Sequence, residues 1–352
     1  MSEPLISLHD IDVHFGAESN PFGLFDDETT VRAVDGVSLD IGENDVVSLV
    51  GESGCGKTTL GKTTIGIQEP TNGSVTYRNQ DLWKTRRGEI TDGVSYSQIR
   101  RSLQMIHQNP GSSLNPNKRV IESLTRPLKK WKSTLSREER EARALAMLDR
   151  VGMKPPSDFA YRYPHQLSGG EAQRVALVRA LLMDPELILA DEAISALDVS
   201  LRIEMMDLML ELQDAFDTSY LFISHDLSNA RYLAEKAGGR IGVMYLGKLV
   251  EIGPVDQIIH NPTHPYTKVL NWATPELELD SEMQGHPPVR SIDIPDPENP
   301  PSGCRFHTRC PDARAMCKEY PPTFDTSDGG EVTCYRADSD HEYWDSEPLE
   351  GT

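Results

Sequence analysis

The sequence predicts an α/β fold: a mixed sheet with a parallel core, an antiparallel β piece ahead of it, a helical insertion within it and a small cysteine-bearing module behind it. Three observations carry this expectation. Val46 to Val50 is a short apolar run that feeds directly into a glycine-rich stretch, Gly51-Glu52-Ser53-Gly54-Cys55-Gly56-Lys57-Thr58. A second apolar run, Leu187-Ile188-Leu189-Ala190, ends in two acids, Asp191 and Glu192. A third, Tyr220-Leu221-Phe222-Ile223, ends just before His225. Short unbroken apolar runs of this kind read as strands covered on both faces, as in a parallel sheet.

The elements follow in order. Residues 5–15 alternate apolar and polar through Ile6, Leu8, Ile11, Val13 and Phe15, and Val37, Leu39 and Ile41 do so again before Gly42. Both read as half-buried strands of an antiparallel piece. Residues 16–30 between them are rich in Gly, Asn, Pro and Asp and read as a loop insertion. A helix is expected to begin near Lys57. Residues 111–165 form a helical insertion, extending to about 180 as a subdomain. There Ser136 with Glu139 makes a capping box, and Ala142, Leu145, Ala146, Met147 and Leu148 give an apolar helix face. The nucleotide-binding part is expected to span residues 1–255. A C-terminal extension covers 256–336, with prolines crowding residues 287–301 as an extended linker, and a polar, acidic, disordered tail runs from 337 to 352. No internal repeat is visible.

The chain has 352 residues, enough for one large α/β domain and an appendage. Its formal net charge of −20 disfavours nucleic-acid binding, which needs clustered Lys and Arg to meet phosphates. The acids are spread along the chain, which reads as a solvated, self-repelling surface of the halophilic kind. No stretch approaches the ~18 consecutive apolar residues of a membrane span. Met1-Ser2-Glu3-Pro4 lacks the basic start and apolar core of a signal peptide. A soluble, intracellular chain is expected, with any membrane part supplied by other chains.

Gly51-x-x-x-x-Gly56-Lys57-Thr58 fits the phosphate-loop pattern. Glycines let the backbone wrap closely, so that N–H groups and the following helix N-terminus face phosphates. Lys57 is expected to bridge the β- and γ-phosphates of ATP and the Thr58 hydroxyl to ligate Mg²⁺. The nucleotide-holding stretch is Gly51, Ser53, Gly54, Cys55, Gly56, Lys57, Thr58 and Thr59; the Cys55 thiol is assigned no chemistry. Asp191 can hold Mg²⁺ through water, and Glu192 is placed to polarise an attacking water as general base. Ser168-Gly169-Gly170 stands at a helix start, where a hydroxyl, close backbone N–H groups and the positive helix end make an anion site.

The heptapeptide Leu167-Ser168-Gly169-Gly170-Glu171-Ala172-Gln173 resembles the signature of the ATP-binding cassette (ABC) ATPases. That resemblance implies an ABC ATPase core whose two nucleotide sites are each completed by a second subunit, with Ser168, Gly169 and Gly170 facing the partner's γ-phosphate. It also implies roles for Gln108 as the glutamine loop sensing Mg²⁺ and water, Ser195 to Asp198 as the loop touching the partner, and His225 as the γ-phosphate contact. Phe15 is the implied aromatic under adenine. Glu171 departs from the usual Gln and brings a negative charge towards phosphate, which is expected to weaken ATP-driven closure slightly; Ala193-Ile194 stands where Pro-Thr is usual, and a tuned rate rather than an inactive site is expected there.

Tyr163-Pro164-His165-Gln166, the stretch Gln108 to Pro116, Asn261 to Thr267 and Gly303 to Pro311 resemble the dipeptide/oligopeptide importer ATPases over residues ~5–336. Membership implies an ATP-hydrolysing subunit at the cytoplasmic face of the membrane. Its partners would be a second ATPase, commonly a paralogue, two membrane permeases and an external solute-binding protein. Nickel or oligosaccharides are alternative cargoes, and a soluble ABC ATPase of DNA repair or translation is the alternative from another class. Cys304, Cys310, Cys317 and Cys334 could enclose a 4Fe–4S cluster or a structural zinc, or remain free thiols. Their spacing lacks the CxxC pairs of zinc ribbons. His307 is a further candidate ligand. Related importer ATPases carry a similar module associated with a 4Fe–4S cluster. Lying beyond the proline-rich linker, the module is expected to stand away from the ATP core.

Overall fold

The computed structural model describes residues 3–16, 30–274 and 288–349. Most of the expected insertion at 16–30 lies outside them, as does Pro287 of the proline-rich stretch.

The strands are β1 (Ile6–Gly16), β2 (Thr30–Ile41), β3 (Val46–Val50), β4 (Asn72–Tyr77), β5 (Gln80–Asp81), β6 (Leu103–Ile106), β7 (Leu187–Asp191), β8 (Ser219–Ile223), β9 (Arg240–Tyr245), β10 (Lys248–Pro254), β11 (Phe324–Asp325) and β12 (Glu331–Val332). Among the described residues they form two sheets. One is antiparallel, in the order β2-β1-β4-β5. Its register sets Ile6 opposite Ile41 and Leu8 opposite Leu39, so the alternating apolar residues of both strands enter one core. The larger sheet runs β11-β12-β10-β9-β3-β8-β7-β6. Its β9-β3-β8-β7-β6 portion is parallel, and β3, fully buried, lies at its centre beside β8.

Residues 110–181 carry the helical insertion. The helix Arg137–Arg150 starts at the Ser136 capping box, with the Glu139 amide donating to the Ser136 hydroxyl at 3.1 Å. It buries Ala144 and Leu148 against the helices Val120–Trp131 and Gly169–Leu181. This packing is continuous with the core under β7 and β8 through Val175, Ile188 and Phe222.

The C-terminal module departs from expectation in two respects. It does not stand apart, because β12 pairs antiparallel with β10 and extends the large sheet. The helix Pro265–Ala273 and Phe306 share a core with Val50 and Tyr245. Nor is the tail from 337 a disordered acidic stretch over its described part. Tyr343 is buried, the Leu349 amide donates to the Ala313 carbonyl at 2.9 Å, and Arg314 donates to the carbonyls of Trp344 and Ser346. The acids of this segment sit outside while Tyr343 and Leu349 supply the apolar area that holds it down.

Candidate functional site

Four parallel strands deliver the site. Ile223 of β8 lies opposite both Leu49 of β3 and Asp191 of β7, and Ile106 of β6 lies opposite Ala190. The phosphate loop, Asp191-Glu192, His225 and Gln108 therefore leave the sheet at the same carboxyl edge, where open α/β sheets bind ligands.

The loop itself needs glycine in two places. Gly51 and Gly56 hold positive φ angles of 148° and 105°, and a Cβ on either would collide with a neighbouring carbonyl, of Met244 and Ala33 respectively. Gly54, also at positive φ, faces open space beside exposed Ser53. Lys57 begins the helix Lys57–Thr64, and its Nζ donates to the carbonyls of Gly51 at 2.8 Å and Glu52 at 2.9 Å. Thr59 follows Thr58 in the first turn of that helix. Burial pushes the Cys55 thiol pKa up, and its sulfur lies 3.6 Å from Lys57 Nζ.

The Thr58 hydroxyl donates to Asp191 Oδ1 at 2.8 Å, placing two hard oxygen donors together at the loop mouth. Such a pair fits a small divalent cation of the Mg²⁺ type. Glu192 follows in left-handed backbone, φ 49°, anchored by its amide on the Ile223 carbonyl at 3.0 Å. This conformation is uncommon for a non-glycine residue and turns the chain sharply after β7. Its carboxylate comes within 3.5 Å of His225 Nδ1. Gln108 is exposed just past β6. Phe15 is half exposed and pairs with Val31, two residues from the Ala33 carbonyl that abuts Gly56.

Ser168, Gly169 and Gly170 lie elsewhere. A Cβ on either glycine would meet Leu197 or Leu201, beside the Ser195–Asp198 loop, rather than the chain's own phosphate loop. That loop is held by Arg202, which donates to the carbonyls of Leu197 and Ser195, while Asp198 caps the helix Val199–Phe216 through the Leu201 amide. Ser168 caps the helix Gly169–Leu181, and Glu171 answers by accepting from the Ser168 amide at 2.7 Å. The departure from Gln at 171 is thus occupied in a reciprocal cap, with Arg162 at 3.9 Å. Ala193 and Ile194 are buried in the core.

Cys304, Cys310, Cys317 and Cys334 line one small cavity of about 20 Å³ with His264, Phe306, His307 and Tyr343. None of the four forms a disulfide. Burial raises each pKa, to about 12 for Cys310 and about 11 for Cys334. Thiolates in such a place call for a compensating cation. Among the described residues no group of three His, Cys, Asp or Glu side chains is arranged to hold a metal ion.

The contacts between this module and the ATP edge were not legible in the sequence. Arg309 donates to both carboxylate oxygens of Glu52, and the Glu52 amide donates to the Tyr266 hydroxyl at 2.9 Å. Arg305 pairs with Asp35 and donates to the Leu246 carbonyl. The nearest signal is that each arginine adjoins a cysteine of the cluster.

Residues 34–195 match the family described as ABC transporter, and residues 250–317 match the oligopeptide/dipeptide transporter C-terminal region. The chain is 40% identical over 340 residues to the dipeptide transport ATP-binding protein DppF of Escherichia coli K12, covering 97% of this chain and 96% of that protein. It is 41% identical over 323 residues to the oligopeptide transport ATP-binding protein AppF of Bacillus subtilis 168, covering 92% and 94%. Among solved structures it is similar to the dimeric bacterial ABC transporter cassette MJ0796, with a TM-score of 0.58 at 28% identity over 71% of this chain and 98% of that one. Among the described residues no helix is long and apolar enough to cross a membrane.

Proposed function

The chain belongs to the ATP-binding subunits of the oligopeptide/dipeptide ABC importers, and from that premise we propose how its residues divide the work. It is an ATPase, using ATP and Mg²⁺ to energise peptide import. The observation that carries this is identity of about two residues in five along nearly the whole chain to peptide-transport subunits. A soluble repair or translation ATPase is set aside on the same ground.

In the proposed division, Lys57 exchanges its two loop carbonyls for the β- and γ-phosphates, and the loop amides from Gly51 to Thr59 wrap the phosphate chain. Thr58 and Asp191, with Gln108 at the same edge, hold Mg²⁺, which neutralises charge on the phosphates when bound. Glu192 orients the attacking water and takes its proton. His225, 3.5 Å from that carboxylate, keeps it aimed and reaches the γ-phosphate. Phe15 stacks on adenine. Ser168, Gly169 and Gly170, remote from the chain's own loop, complete the site of a second ATPase subunit, and Asp198 lies at the contact. That subunit is a paralogue; two permeases and an external binding protein complete the complex, with this chain on the cytoplasmic face.

Reconstitution in liposomes tests this. Vesicles holding the binding protein, both permeases, the paralogue and this chain take up peptide with ATP, and Lys57→Ala in this chain stops uptake. Equal uptake without this chain, or with Lys57→Ala, contradicts it.

For the cysteine cavity the same reading assigns a 4Fe–4S cluster held by Cys304, Cys310, Cys317 and Cys334, a group that stabilises the module. Protein purified without oxygen should carry about four irons per chain, and Cys310→Ser should lower that content. Zinc at one per chain, or no metal, overturns the assignment.

A further inference from the structure

We propose that Arg309 is a positioning residue for the phosphate loop: by pairing with Glu52 it neutralises the one carboxylate inside that loop and holds the loop in its nucleotide-ready shape. The inference rests on the reading of Gly51 to Thr58 as the ATP site and extends it to a residue 257 positions away in sequence.

Glu52 is gripped at three points. Its side chain receives Arg309 NH1 at 3.0 and 3.3 Å. Its amide donates to the Tyr266 hydroxyl at 2.9 Å, and its carbonyl accepts from Lys57 Nζ at 2.9 Å. Two of the three partners belong to the C-terminal module. Those partners are themselves fixed. The Arg309 side chain is 7% exposed and also donates to the Tyr245 hydroxyl, 3.3 Å away. Its guanidinium lies beside the rings of Tyr245 and Phe306. Tyr245, Tyr266 and Phe306 pack together with ring centroids 4.6 to 5.4 Å apart. The loop's far side is held similarly: the Gly247 amide donates to the Cys55 carbonyl at 2.8 Å, next to Leu246, whose carbonyl receives Arg305.

Electrostatics gives the grip a function. A triphosphate brings several negative charges to this loop, and a bare carboxylate within it would oppose them. With a buried guanidinium beside Glu52 the pair carries no net charge, and the Glu52 backbone stays where Lys57 and the amides converge. Without Arg309 the half-buried carboxylate loses its partner, the costly case for a buried charge.

Equilibrium binding of ATP to the full chain, with turnover of the assembled complex, tests the proposal. Arg309→Met should raise the Kd for ATP by roughly tenfold, as expected for losing one partner of a buried pair, while kcat at saturating ATP stays within about twofold of wild type. Adding Glu52→Gln to Arg309→Met should recover most of the affinity, because the stranded charge is gone; a merely structural arginine gives no such rescue. Arg309→Lys, which keeps the charge and the stem, should lie between wild type and Met. An unchanged Kd in Arg309→Met overturns the proposal, as does a double variant no tighter than Arg309→Met alone. If Arg309→Met does not fold, wild-type affinity in Arg309→Lys overturns it. Lys57→Ala separates the two readings: retained ATP binding in that variant would refute the phosphate-loop assignment itself, whereas its loss beside an unaltered Arg309→Met refutes only the role of Arg309.

Discussion

At the residue scale, the motifs carried most of the site because each encodes a backbone demand as well as a side chain. Gly51 and Gly56 tolerate no Cβ, so the loop pattern is read from sterics as much as from chemistry. Glu192 is instructive in the other direction. Its left-handed backbone and its approach to His225 follow from the turn after β7, which two adjacent acids do not announce. Glu171 shows how a departure from a motif can be absorbed. Its carboxylate accepts from the Ser168 amide, so a Gln there can keep the cap through its carbonyl oxygen while removing a charge from the surface proposed to meet a partner's phosphates. Glu171→Gln is therefore expected to leave stability unchanged and to lower the ATP concentration for half-maximal hydrolysis by about twofold to fivefold, the effect of one exposed charge. Glu171→Ala should instead cost about 1 kcal/mol of stability by losing the reciprocal cap. Thermal unfolding and steady-state ATPase distinguish them; a Gln variant less stable than wild type would mean that the carboxylate charge itself holds the helix start.

At the element scale, strands buried on both faces were legible because a short unbroken apolar run suits few environments besides the middle of a covered sheet. The antiparallel pair was legible because its alternation repeats with matching polarity. β9 and β10 were not: Arg240 to Pro254 mixes glycines and charges into its apolar residues, and the partner strand β3 lies far away in sequence. The tail was obscured for a related reason. Its acids dominate the composition, while a few aromatic and apolar residues, Tyr343 and Leu349 among them, decide its placement. The helix Lys57–Thr64 shows how closely the elements fit. A Cβ at Gly61 would stand 2.7 Å from Leu189 Cδ1 and 2.8 Å from Ile223 Cδ1, so the helix lies directly on β7 and β8. Gly61→Val should destabilise the chain by about 1–3 kcal/mol through overpacking. It should also weaken ATP binding, since Lys57 and Thr58 ride on the same helix. Chemical denaturation measures the first effect; unaltered stability would show that the helix floats free of the sheet.

At the scale of the whole molecule, the site is divided in two. Lys57, Thr58, Asp191, Glu192 and His225 gather at one sheet edge, whereas Gly169 and Gly170 lie against Leu197 and Leu201. On the proposed reading a second cassette supplies the half of the nucleotide site that this chain lacks. Ser168→Arg should consequently leave ATP binding to the isolated chain intact and stop ATP-dependent pairing; equal loss of both would count against a divided site. The C-terminal module belongs to this larger picture. Its cysteines were visible at once, but its attachment to the phosphate loop was not, because Arg309 and Glu52 meet only through tertiary packing. The central claim is that ATP closes two such chains and that Glu192 then drives hydrolysis, and Glu192→Gln tests it most directly. Steady-state ATPase of the assembled complex should fall by ~10²–10⁴, the usual contribution of a general base, while ATP binding persists and the ATP-closed pair accumulates; near-normal turnover, or an ATP-bound variant that does not pair, would contradict it.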